Sequence, residues 1–221
     1  MAMIVSELDL RQTDPLVLTV PGLGNSGEGH WQTIWERTRG DCQRADLGMW
    51  DAPKRNLWVT KLAQTISAAQ PPVILVAHSL GCLAVAWWAA FDPQPFGWPV
   101  AGALLVAPPD TDKLAHMPEV AEFAPAPRQP LPFPSIVVAS TDDPYADIER
   151  SHDMAKFWGS HFLDIGNCGH INAASGLGGW TQGEALLDGL IDHVRGPGDR
   201  QATLSPREWA TLREEAGTAR V

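Results

Sequence analysis

The stretch VAHSLGC, residues 76–82, places Ser79 directly after an apolar run and two residues before Gly81. A serine hydroxyl becomes a useful nucleophile only when a base removes its proton and the side chain stands clear of the surrounding backbone. The pattern Gly-x-Ser-x-Gly at a strand-to-helix turn meets the second need, because small flanking residues let a strained turn approach neighbouring backbone. Here the first glycine is replaced by Ala77, which adds one methyl group, and Gly81 is retained. A base and a carboxylate occur downstream: STDDPY (140–145) offers Asp142 and Asp143, and GNCGHINAASG (166–176) offers His170. In that order His170 would take the Ser79 proton and pass it to a leaving group, while the carboxylate holds the imidazole tautomer and stabilises the imidazolium. Asp143 is the expected partner, three residues after Ser140; Asp142 is the alternative, or caps the turn. The competing reading of both is a pair of turn-forming aspartates before a proline.

Acyl chemistry also requires two backbone N–H groups aimed at the developing alkoxide. Leu80, next after the serine, supplies one. The loop PGLGNSGEGHW (21–31) supplies the other, with Leu23 expected and Gly24 next. Gly22, Gly24 and Gly27 in this loop also have the spacing of a dinucleotide-binding turn, so a nucleotide-binding oxidoreductase is a competing reading. It leaves the order Ser, Asp, His unexplained, and the nearest acid at the end of a second strand is Asp46. His30 and Trp31, at the mouth of the loop, either touch substrate or pack the loop onto the following helix. If strand alternation continues, His78 points away from Ser79 and makes a structural hydrogen bond, and Cys168 is a small loop residue. The seven histidines show neither i, i+4 pairing nor an H-E-x-x-H pattern, so no metal site and no cofactor are expected.

These residues can converge only if strands carry them to one edge. Short β-type runs recur: LVLTV (16–20), CQRADL (42–47), VILVA (73–77), VAGALLVA (100–107), SIVVAS (135–140) and HFLDI (161–165). Several are continuously apolar, as strands covered on both faces are. Between them Trp58, Leu62 and Ile66 form a helical stripe with Val59 and Ala63, and LGCLAVAWWAAF (80–91) suits the helix after Ser79. Leu187, Leu190, Ile191 and Val194 mark a last helix, opened by Thr181 and Glu184 spaced as a capping box. Alternating strands and helices predict an α/β, doubly wound, mostly parallel sheet of about six strands. Ser79, Asp143 and His170 each then follow a strand end, on the edge where open α/β sheets bind ligands. Residues 108–134 are proline-rich and poorly periodic, a long excursion able to cover the site.

The 221 residues suit one domain over 1–195, followed by a polar tail over 196–221. In the tail Ser205, Pro206 and Glu208 form a helix start, with Leu204 and Trp209 as a hydrophobic staple. A net charge of −10 repels phosphate backbones and anionic lipid, so neither nucleic acid nor a membrane is an expected partner. The start MAMIVSELDLRQTD lacks the basic and apolar regions of a signal peptide, which makes a cytoplasmic location the expectation. Three cysteines without C-x-x-C spacing indicate reduced thiols. Ten tryptophans either line a pocket or fill a core.

Taken together, VPGLGNSGEGHWQTIWE, WDAPKRNLWV, VAHSLGC, STDDPY and GNCGHINAASGLGGW resemble the small serine hydrolases of the retinoblastoma-binding protein 9 and YdeN family, within the α/β-hydrolase superfamily. The likeness covers roughly residues 15–194 and departs from the wider superfamily at Ala77. It implies a compact α/β-hydrolase without a large lid domain and a triad of Ser79, Asp143 and His170. The expectation is a cofactor-free hydrolase acting on a small-molecule carboxylic ester, with a thioester or amide as variants. The rival class is a hydrolase-fold protein whose role is a protein contact, made through its tryptophan-rich helices.

Overall fold

The computed structural model describes residues 14–69 and 72–195. Six strands form one sheet: β1 (Leu16–Val20), β2 (Cys42–Arg44), β3 (Val73–His78), β4 (Val100–Val106), β5 (Ser135–Ala139) and β6 (His161–Asp164). Their spatial order is β2-β1-β3-β4-β5-β6, and every pairing is parallel. Parallel neighbours need crossovers, and helices supply them: α1 (Trp31–Thr38), α2 (Arg55–Ala68), α3 (Leu80–Phe91), α4 (Pro118–Ala121), α5 (Ile148–Trp158) and α6 (Thr181–Arg195).

The apolar runs become strands because they alternate into two cores at once. On one face Val73, Leu75 and Ala77 of β3 pack with Trp58 and Leu62 of α2, Leu83 of α3 and Trp158 of α5. On the other, Ile74 and Val76 meet Trp31 and Trp35 of α1 and Leu187 and Leu190 of α6. Ala77 is fully buried in the first of these cores, so its methyl group adds contact there. Each fully buried large side chain stabilises by about 1.5–3 kcal/mol, and Trp31, Trp35, Trp58, Trp88 and Trp158 are all in that class. Of the two roles open to the tryptophans, these five therefore fill the core.

Two local expectations are corrected. β2 ends at Arg44 instead of reaching residue 47; it is one of the two edge strands, and beyond it the Ala45 N–H still bonds the Thr19 carbonyl of β1. The capping box at Thr181 is absent, because Thr181 is already the first residue of α6. The Trp180 carbonyl accepts the N–H of Glu184 one turn on, so the boundary lies one residue earlier than the Thr-x-x-Glu spacing suggests. The helix expected around Ser205–Trp209 lies outside the described residues.

The excursion over 108–134 is pinned at several points. Arg150 of α5 pairs with Asp110 and Asp112, Trp87 donates to the Phe123 carbonyl and Trp158 to that of Pro127. Among the described residues no helix is long and apolar enough to cross a membrane.

Candidate active site

β3 ends at His78, and α3 begins at Leu80, which leaves Ser79 to make the whole turn. Its backbone has φ 53° and ψ −126°, a conformation that costs a non-glycine residue about 1–3 kcal/mol and persists only where its surroundings enforce it. Two glycines do the enforcing. A Cβ on Gly81 would lie 2.2 Å from the Val20 carbonyl oxygen, and one on Gly22 would lie 2.8 Å from the Ser79 Cβ. The glycine-rich loop after β1 therefore uses Gly22 to pass against the serine, which accounts for the residue that opens the dinucleotide-like spacing.

Ser79 Oγ lies 2.8 Å from His170 Nε2. His170 Nδ1 lies 2.8 Å and 3.0 Å from the two carboxylate oxygens of Asp143. A carboxylate accepts, so Nδ1 carries the hydrogen and Nε2 is left free to accept from the serine hydroxyl. Asp142 faces elsewhere: its Oδ1 accepts from Ser140 Oγ at 2.7 Å and from the Gly169 N–H at 2.7 Å. Those bonds hold its pKa below the ordinary 3.8, the Ser140 hydroxyl contributing most, and they fasten the histidine loop to the end of β5. Ser140 Oγ also accepts the Cys168 N–H. The structure thus brings Ser79, His170 and Asp143 together and puts Asp142 on the supporting loop.

The first loop is held by a polar cluster. Arg44 reaches Glu36, the Asn25 side chain and the Ser26 carbonyl, and Gln32 donates to the Val76 carbonyl while accepting from Ser26 Oγ. Thr19 also donates to Glu36. The Gly24 N–H is committed to the Trp50 carbonyl at 2.9 Å, so Gly24 is not available to a bound group. The N–H groups of Leu23 and Leu80 have no acceptor among the described residues.

A cavity of about 400 Å³ opens beside Ser79. Leu23, Leu80, Leu114, Met117 and Val120 give it an apolar wall, the last three supplied by the pinned excursion. His30 and His78 also border it. Burial, then the nearby Arg44 and His170, lowers His30 to about 4; burial likewise holds His78 well below the ordinary histidine range. Both rings are consequently neutral near pH 7. His30 caps α1 by accepting the Gln32 N–H at Nδ1. Among the described residues, no group of three His, Cys, Asp or Glu is arranged to hold a metal.

Tyr145 is a further residue of the site. Its N–H donates to Asp143 Oδ1 at 2.9 Å, and its ring stands edge-on to His170 with centroids 4.6 Å apart. The signal in the sequence is its place as the chain's single tyrosine, two residues after Asp143. No local pattern marks Ser140 and Trp31 as supports of the histidine loop, because their partners lie 28 and 140 positions away.

The profile of the serine hydrolase family matches residues 17–189. A YdeN-like hydrolase from Pectobacterium atrosepticum is 31% identical and superposes with a TM-score of 0.73, covering 86% of this chain and 99% of its own. The ydeN gene product of Bacillus subtilis, 19% identical, gives a TM-score of 0.66 over 80% of this chain and 99% of its own. Mouse alpha/beta hydrolase domain-containing protein 10, at 15% identity, gives 0.63 over 82% and 91%. The latter two speak to the fold alone. No curated protein matches significantly. With the family profile spanning most of the sheet and its helices, the chain belongs to the serine hydrolase family, on an α/β-hydrolase fold.

Proposed function

We propose that this protein hydrolyses a small, uncharged carboxylic ester through an acyl-enzyme on Ser79. The observation that carries the reading is the continuous hydrogen-bonded path Ser79–His170–Asp143, set on a turn that only a strained serine completes. Ser79 Oγ attacks the ester carbonyl carbon as its proton passes to His170 Nε2. The carbonyl π pair moves to oxygen, where the free N–H groups of Leu80 and Leu23 receive the alkoxide. Collapse breaks the bond to the alcohol oxygen, which leaves with the proton from Nε2. Water then repeats the sequence: it attacks the acyl carbon, gives a proton to His170, and the carboxylic acid departs as Ser79 Oγ regains its hydrogen. Asp143 keeps the imidazole in the productive tautomer and stabilises its charged form.

The cavity lining supports the substrate class. Its leucine, methionine and valine side chains suit an aliphatic acyl group, and neutral His30 and His78 offer no counter-charge to a carboxylate-bearing one. A fluorophosphonate probe and a series of p-nitrophenyl esters test this. Labelling of the wild-type protein, loss of labelling in Ser79→Ala, and faster turnover of butyrate or hexanoate than of succinate half-esters are expected. An unlabelled wild-type protein would overturn the reading and favour a hydrolase fold kept for a protein contact.

A further inference from the structure

His170 sits in a loop that its own residues do not favour. Gly169 has φ 54° and Ile171 φ 48°; for a β-branched residue such a value is a true outlier. Strain of this kind needs outside support. The support comes from elements far away in sequence. His78 Nε2 lies 2.9 Å from the carbonyl oxygen of His170 itself, and because a carbonyl can only accept, Nε2 carries the hydrogen and donates. Trp31 Nε1 donates to the next carbonyl, that of Ile171, at 2.8 Å. The two donors belong to one packed group: the Trp31 and His78 rings meet edge-on at 6.0 Å, and the His30 ring lies 5.1 Å from Trp31 and 4.7 Å from His78. His78 directly precedes the nucleophile, and Trp31 opens α1 after the glycine-rich loop.

We propose that His78 and Trp31 are positioning residues, a clamp on the carbonyls of residues 170 and 171 that holds the strained loop and keeps the His170 imidazole within reach of Ser79. The clamp explains why a histidine occupies the place before the serine and why a His-Trp pair closes the first loop, two features the triad itself does not use. It also ties three parts of the site to one another: the nucleophile's strand, the loop bearing Leu23, and the loop bearing the base. The His170 carbonyl fixes the hydrogen on His78 Nε2, and burial disfavours the charged form of the ring.

The catalytic part of this inference rests on the proposed hydrolase reading, but the clamp can be tested without it. Amide hydrogen exchange over residues 166–176 reads the loop directly. Faster exchange there, with the rest of the sheet unchanged, is expected in His78→Phe and in Trp31→Phe, which keeps an aromatic ring but removes the donor along with part of the indole packing. In ester turnover His78→Phe should lower kcat about 10- to 100-fold with KM within about threefold, the signature of a misplaced base. His78→Gln, whose amide can donate to the same carbonyl, should recover most of that loss. Wild-type exchange and kcat in both Phe variants, or a Gln variant no better than Phe, would overturn the clamp. Global unfolding of both Phe variants would also overturn it, by making these contacts general supports of the fold. A wild-type protein inert to fluorophosphonate would instead remove the hydrolase reading, and loop exchange would still decide the clamp.

Discussion

The two loops that present the serine and the histidine are both strained, yet they are held in different ways. The turn at Ser79 is enforced by backbone: Gly22 and Gly81 let the chain pass within distances that no Cβ permits. The loop at His170 is enforced by side chains, through Asp142, Ser140, His78 and Trp31. Steric enforcement is all-or-none, since an added methyl group must displace a carbonyl. Hydrogen-bonded enforcement is graded, because the loss of one donor or acceptor weakens the hold and leaves the others in place. The nucleophile is thus built into the fold, and the base is fastened to it.

That contrast can be broken by substitution. The largest effect is expected from Ser79→Ala or His170→Ala, on the order of 10⁶ in kcat for ester turnover, with no further loss in the double variant because the two act as a unit. Asp143→Asn should follow, at about 10⁴ in kcat with the fold intact, since the amide favours the wrong tautomer of His170. Thermal unfolding separates this from a packing defect.

Gly81→Ala comes next and tests the steric half of the contrast. Its Cβ would stand 2.2 Å from a backbone oxygen, so destabilisation of about 3 kcal/mol or more is expected in urea unfolding, within the upper range for overpacking. Near-wild-type stability would show the turn to be adjustable and the contrast false.

The smallest effect is expected at Asp142. Its carboxylate pKa is lowered in the folded state, so the stability it contributes is fully present above its ordinary 3.8 and is lost as pH falls through the lower folded value. Asp142→Asn should flatten that acid limb of the unfolding curve and reduce kcat by about tenfold or less. A loss as large as that of Asp143→Asn would assign Asp142 a role the geometry does not give it.

Much of this was legible in residue order. Continuous apolar runs mark buried parallel strands: β1, β3, β4, β5 and β6 and the helix at Leu80–Phe91 lie within a residue of where the runs predict them, while the polar run at β2 is cut short. The order Ser, Asp, His after the ends of β3, β5 and β6 pointed to Ser79, to His170 and to the pair Asp142 and Asp143, of which the structure turns Asp143 to the histidine. Less was legible where neighbours in space are distant in sequence. No local pattern tells that Trp31 reaches Ile171 across 140 positions, that Arg44 anchors the first loop, or that the excursion supplies Leu114, Met117 and Val120 to the cavity wall. The end of β2 and the start of α6 were misread for a related reason: an edge strand's length and a helix's first turn depend on which donors find acceptors.

The sequence by itself determined the alternation of strands and helices, the serine turn and the choice of chemistry, because periodicity, glycine placement and side-chain type are local properties of a chain. Tertiary structure alone decided that Asp143 and not Asp142 faces His170, that Leu23 and not Gly24 keeps its N–H free, and that His78 and Trp31 grip the histidine loop. Those outcomes depend on hydrogen-bond distances between elements, and such distances exist only once the sheet has brought its strand ends to a common edge.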